Sequence, residues 1–170
     1  MQAALSALAE RGATELVLDL SDNRGGLVNE GVEIARAFLP PGAPVFRTQG
    51  VDRATETRVP AGGAAATTLP LTVVVNGNSA SASEILAGAL RDNCRATIAG
   101  RPTFGKGLIQ SVYELSDSSG LVVTVGKYLT PAGSDIDRRG ITPDSARVPA
   151  RAQAEKVVKT CTAPPVRAAA

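Results

Sequence analysis

Histidine is absent from all 170 residues, and so is tryptophan. The first absence is the more informative, because it removes the Ser-His-Asp triad, Cys-His nucleophiles, histidine-ligated metals and imidazole general bases together. A nucleophilic enzyme built from this chain must take its base from a lysine, a carboxylate or a terminal amine. Aromatics are scarce, three Phe and two Tyr, too few for the stacking platforms that hold single-stranded nucleic acid. An excess of either charge is missing as well: 18 Lys and Arg face 16 Asp and Glu, a formal +2 with no basic block, so no nucleic-acid partner is expected. No apolar run approaches the roughly 20 residues of a membrane span, and MQAALSALAERGATE lacks the charged start and long apolar centre of a signal peptide. Cysteine is limited to Cys94 and Cys161. Two are too few for a disulfide framework and lack a zinc site's spacing, so two ordinary thiols are expected.

What remains is a chain 44% hydrophobic, enough for one sizeable core and one domain. Residues 2 to 11 have helical spacing and stop at Gly12. ELVLDL, from Glu15 to Leu20, reads as a buried strand of a parallel sheet. After the turn SDNRGG, Leu27 to Leu39 places Val28, Val32, Ala35 and Leu39 on one helical face and ends against Pro40. Residues 43 to 59 suggest a hairpin and PAGGAAATTLP a loop. Leu71 to Asn76 reads as a second buried strand, Ser81 to Asp92 as a helix and Arg95 to Ala99 as a short strand; IQSVYEL and LVVTVGKYL flank the SDSSG turn as later strands. Strands alternating with helices make this α/β with a late antiparallel addition. Beyond Asp144 a peripheral helix and a frayed tail are expected.

Two segments carry chemistry. In VVVNGNSASASEIL a strand passes through a small-residue turn into a helix at Ser81. Ser81-Ala82-Ser83-Glu84 fits a capping box, in which the serine satisfies helix N–H groups; the same geometry also presents a nucleophile on a sharp edge, with the N–H of Ala82 aimed at an oxyanion. Lys106 lies between Gly105 and Gly107 in PTFGKGLIQ. It reads either as a solvated loop lysine or, once desolvated, as a neutral amine able to take the serine proton. Gln110 offers a neutral amide to orient that amine. Gly100 to Lys106 also satisfies the phosphate-loop spacing G-x-x-x-x-G-K, but Gly107 stands where magnesium needs a hydroxyl and a strand pattern follows where a helix is required. The turn Asp22-Asn23-Arg24-Gly25-Gly26 is either an ordinary strand-to-helix turn or a second source of oxyanion N–H groups. Serine-lysine chemistry requires neither metal nor cofactor.

Through LVLDLSDNRGGL, VVNGNSASASEILAGALRDNCRATIAG, PTFGKGLIQ and KYLTPAGSDIDRRGITPD, spread over roughly residues 14–144, the sequence closely resembles the C-terminal processing, or tail-specific, proteases of family S41. The resemblance implies Ser81 as nucleophile, Lys106 as general base and Gln110 as the residue supporting the lysine. Asp92 falls where some members carry an aspartate important to activity, and Ala82 with Gly25 or Gly26 would supply the oxyanion N–H groups. It further implies an α/β core like that of Clp protease and the crotonases, with a mixed sheet and flanking helices. The implied substrates are proteins or peptides with exposed C-termini, and the implied location is extracytoplasmic, the periplasm or the thylakoid lumen. KYLTPAGSDI and ITPD are especially like the cyanobacterial and plastid branch, whose members trim the photosystem II reaction-centre precursor. Against the family pattern, residues 1–148 are expected to be a shortened protease core, 149–170 a peripheral helix and tail, and the PDZ domain and the strand before QAALSALAERG to be missing. SDN is also a looser version of the family's turn before Gly-Gly. The alternative is a non-catalytic domain that binds peptide tails by adding them to an open sheet edge.

Overall fold

The Ala- and Leu-rich start forms α1 (Gln2–Glu10), which ends where Gly12 takes φ +77°, a left-handed turn open to glycine without steric cost. The structure, a computed structural model, describes residues 1–52, 56–60 (main chain only) and 62–163. After α1 come β1 (Leu16–Asp19), α2 (Val28–Arg36), β2 (Pro44–Gly50), β3 (Glu56–Pro60), β4 (Leu71–Val75), α3 (Ala82–Asp92), β5 (Thr97–Gly100), β6 (Leu108–Glu114), β7 (Gly120–Leu129) and α4 (Arg151–Thr160). Every expected element is present with shifted ends. α2 stops before Leu39 because Ala37 and Phe38 bond back three residues, to Ile34 and Ala35, ahead of Pro40. Part of the turn of the 43–59 hairpin and the tail beyond Ala163 lie outside the described residues.

Parallel and antiparallel pairing occupy separate sheets. β1, β4 and β5 form a parallel sheet in that order, and β3-β2-β7-β6 an antiparallel one. Val73 and Val75 on β4 and Ile98 on β5 are fully buried, as expected of a parallel sheet covered on both faces. α3 is the most enclosed helix: every residue but Arg91 is buried, and a Cβ at Gly88 would come within 2.9 Å of Thr130 Cγ2. Its Ile85, Leu86 and Leu90 each contribute about 1.5–3 kcal/mol by leaving water, which makes the helix a fixed platform for whatever its N-terminus carries.

Two expectations are answered here. Cys94 and Cys161 are not free thiols: they form a disulfide across 67 residues of sequence, tying the chain after α3 to the end of α4. β6 follows the Lys106 loop, so the phosphate-loop reading of Gly100 to Lys106 fails for want of a helix. No helix among the described residues is long and apolar enough to cross a membrane.

Candidate active site

β1 and β4 are parallel neighbours, Leu16 opposite Leu71 through Asp19 opposite Val74, so the turns leaving them emerge at one sheet edge, where open α/β sheets place their sites. The turns are laced together. Asn76 Oδ1 accepts the Asp22 N–H at 3.1 Å, and Asp22 Oδ1 accepts the Asn76 and Asn78 amides at 3.1 and 2.8 Å. The Ala80 N–H donates to the Asn23 carbonyl at 3.0 Å, and the Ser79 hydroxyl to the Leu20 carbonyl at 2.7 Å. The Asn78 amide first, and the Asn76 amide after it, hold the Asp22 carboxyl below the usual carboxylate range, aided by the nearby Arg24 charge.

Gly25 is the hinge of the first turn. At φ +91°, a Cβ there would lie 2.6 Å from the Ala80 carbonyl, 2.9 Å from Ser81 Cβ and 3.0 Å from Ala82 N, so only glycine lets the turn press against the serine. Its N–H is committed to Asn23 Oδ1 at 3.0 Å. Gly26 faces open space, and the N–H groups of Gly26 and Ala82 meet no backbone acceptor among the described residues.

Ser81 adopts φ 56°, ψ −118°, a conformation costly for any residue but glycine and persisting only where its surroundings enforce it. Here they do. The Ser81 N–H donates to Glu84 Oε2 at 2.8 Å, and the Glu84 and Ile85 N–H groups return to the Ser81 carbonyl. A strained serine between a strand and a helix has the form of a nucleophile elbow.

Glu84 does far more than cap. It is fully buried, and Oε2 also accepts the Lys106 N–H at 2.8 Å, while Oε1 accepts the Gly105 N–H at 2.6 Å and the Thr103 hydroxyl at 2.5 Å. One oxygen thus binds the backbone of both Ser81 and Lys106. Thr103 Oγ1 in turn accepts the Ile141 N–H at 2.7 Å, and the Phe104 N–H reaches the Ser79 carbonyl at 3.0 Å. The glycines beside Lys106 serve close packing: a Cβ on Gly105 would meet Arg138 at 3.0 Å, and one on Gly107 the Asp137 nitrogen at 2.4 Å. Lys106 itself is exposed. Sequence reasoning saw Glu84 only as the partner in the capping box; the donors from Gly105 and Lys106 left no local signal.

The other candidates stand apart. Gln110 is exposed on β6 opposite Thr124, with no hydrogen bond to Lys106. Asp92 ends α3, about 16 Å along the helix from Ser81 at 1.5 Å per residue. There Asp92 accepts the Ala132 N–H at 2.8 Å and the Arg91 guanidinium at 3.1 Å, anchoring the loop after β7. Two cavities flank the serine. One, of about 140 Å³, is lined by Leu20, Gly25, Gly26, Leu27, Ile34 and Leu86; the other, of about 150 Å³, by Arg24, Asn78, Ala80, Phe104 and Lys106.

Comparison with known proteins gives a consistent answer. The family model described as peptidase family S41 matches residues 1–147. Carboxyl-terminal-processing peptidase 1, chloroplastic, of Arabidopsis thaliana is 48% identical over 158 residues, 93% of this chain and 32% of that protein. The carboxyl-terminal-processing protease of Synechocystis sp. is 53% identical over 141 residues, 83% of this chain and 33% of its own length. A solved photosystem II D1 C-terminal processing protease superposes with a TM-score of 0.79 at 46% identity, covering 85% of this chain and 37% of that one. The chain therefore spans about a third of the relatives it matches. On a family match across most of the chain, and on sequence and structural likeness to the same group of enzymes, the chain belongs to peptidase family S41.

Proposed function

We propose that this chain carries the catalytic centre of a serine peptidase that cuts proteins near their C-termini, with Ser81 as nucleophile and Lys106 as base. The observation that carries the reading is the shared Glu84 oxygen, which accepts the N–H groups of both Ser81 and Lys106 at 2.8 Å and so fixes the two loops side by side. Neutral Lys106 takes the hydroxyl proton as Ser81 attacks the scissile carbonyl, and the ammonium returns it to the departing amine. The acyl-enzyme is then opened by a water that the same lysine activates. The N–H groups of Ala82 and Gly26 receive the oxyanion; Gly25 is the poorer candidate, since Asn23 already holds its N–H. Because Lys106 is exposed, the desolvation that favours its neutral form arrives with the bound substrate. Gln110, exposed in the same way, orients the amine once substrate covers it. Asp92 acts by anchoring the loop at Ala132.

The disulfide fits an oxidising compartment outside the cytoplasm, in keeping with the chloroplastic and cyanobacterial relatives. Unstructured peptides ending in small apolar residues, incubated with the purified chain and with Ser81→Ala and Lys106→Ala and read by mass spectrometry, test the assignment. Cleavage by the parent and loss in both variants is expected; substantial cleavage by either variant overturns it. A second reading, peptide capture without cleavage, draws on β1 and β6, which end their sheets among the described residues. Binding unchanged by Ser81→Ala, with no product, would favour it.

A further inference from the structure

We infer that Arg24 makes the cavity beside Lys106 a carboxylate-binding subsite for the departing peptide, so that cleavage favours a carboxylate one or two residues beyond the cut. The inference rests on the serine–lysine reading above and extends it to the substrate.

The two cavities beside Ser81 differ in chemistry. The one against Gly26 and Ala82 is walled by Leu20, Leu27, Ile34 and Leu86, and its one charged residue is an acid, Glu30. The other has two cations in its wall, Arg24 and Lys106, together with Asn78, Ala80 and the exposed ring of Phe104. The base that takes the serine proton must return it to the leaving nitrogen, so the departing peptide lies on the Lys106 side, in this second cavity. Its volume, about 150 Å³, is of the order that accepts a benzene molecule, room for about one small residue. A carboxylate belonging to the first or second departing residue is then brought to the cavity's wall.

Arg24 is suited to meet it. Its side chain is exposed, and no hydrogen bond or ion pair engages its guanidinium among the described residues. Asp22, whose carboxyl feels the Arg24 charge, already accepts the Asn76 and Asn78 amides at 3.1 and 2.8 Å and does not line the cavity. Two like charges around so small a space favour an anion between them, and when Lys106 is neutral the guanidinium alone remains, permanently charged and shaped for bidentate contact with a carboxylate. Arg24 is a specificity-determining residue in this account; it takes no part in proton transfer.

The test compares three peptides identical up to the cut: one ending in a free carboxylate two residues beyond it, one with that end amidated, and one amidated but with Asp as the first departing residue. The parent is expected to cleave both carboxylate-bearing peptides about tenfold better in kcat/KM than the neutral one, the scale of one charge-assisted hydrogen bond. The free-end and Asp arms separate a terminal from a side-chain carboxylate. Arg24→Gln should bring the ratio to about one, and Arg24→Lys should recover part of it. Equal cleavage of all three by the parent, or an unchanged ratio in Arg24→Gln, overturns the inference. Binding of the same peptides to Ser81→Ala and to Ser81→Ala/Arg24→Gln gives a readout independent of turnover. If the parent cuts nothing yet Ser81→Ala prefers carboxylate-bearing peptides through Arg24, the peptidase reading falls and the subsite stands; binding blind to the carboxylate removes the subsite.

Discussion

Replacing Glu84 by glutamine should weaken both the fold and the site with little change of shape. In the parent, four donors converge on the buried carboxylate: the N–H groups of Ser81 and Lys106 on Oε2, and the Gly105 N–H and the Thr103 hydroxyl on Oε1. A glutamine keeps one acceptor oxygen and places an NH₂ where the other was. Whichever way it turns, two of the four donors face a donor. A buried donor left without an acceptor costs about 1–3 kcal/mol, so Glu84→Gln should lose about 2–6 kcal/mol from a total of about 5–15. At about 2–4 °C per kcal/mol for a chain of this size, the thermal midpoint followed by circular dichroism should fall by about 5 °C or more. Peptide hydrolysis measured well below that midpoint should fall further than the folded fraction, because the same substitution frees the loops bearing Ser81 and Lys106. A variant melting within about 2 °C of the parent and hydrolysing at the parental rate would refute the claim that this carboxylate holds the site together.

Gly25→Ala and Gly26→Ala should behave oppositely. The first drives a methyl to 2.6 Å from the Ala80 carbonyl at φ +91°, whereas the second meets nothing within 4 Å, so denaturation should show a loss of about 2 kcal/mol or more for Gly25→Ala and little change for Gly26→Ala. Reducing the Cys94–Cys161 disulfide, which closes a 67-residue separation, should cost about 4 kcal/mol on the chain-entropy model, read as a lower denaturant midpoint in dithiothreitol; an unchanged midpoint would contradict a stabilising bridge. The Asp22 carboxyl is held low by the Asn78 and Asn76 amides, so its contribution is present above the unfolded value near 4 and is lost as pH falls through the folded one. Acid titration of the thermal midpoint should therefore be flatter in Asp22→Ala over that window.

The sequence was most legible where structure is local. The apolar run before SDNRGG, the small-residue turn at Ser81 and the strand pattern after Lys106 each announce an element within about ten residues, and all three appear. Distant partners left no such mark. Glu84 sits three residues from Ser81, which capping chemistry anticipates, but 22 from Lys106, and no periodicity links those two. Cys94 and Cys161 meet where α4 packs back against β5, with the Thr97 hydroxyl donating to the Ala154 carbonyl. Gly105 and Gly107 are neighbours of Lys106 in sequence, but their close contacts are with residues 136–139, which fix the loop and which no local pattern announces.

The same distinction explains how the candidate site divides. Ser81 and Lys106 are positioned by their N–H bonds to the Glu84 carboxylate and by Gly25, Gly105 and Gly107, where no side chain fits. Lys106 and Gln110, by contrast, are exposed residues. On the proposed reading, the framework of the site is built into this chain, while the dry environment that serine–lysine chemistry needs has to come from whatever covers Lys106. Rates should accordingly depend on how well a substrate fills the cavity between Lys106 and Arg24.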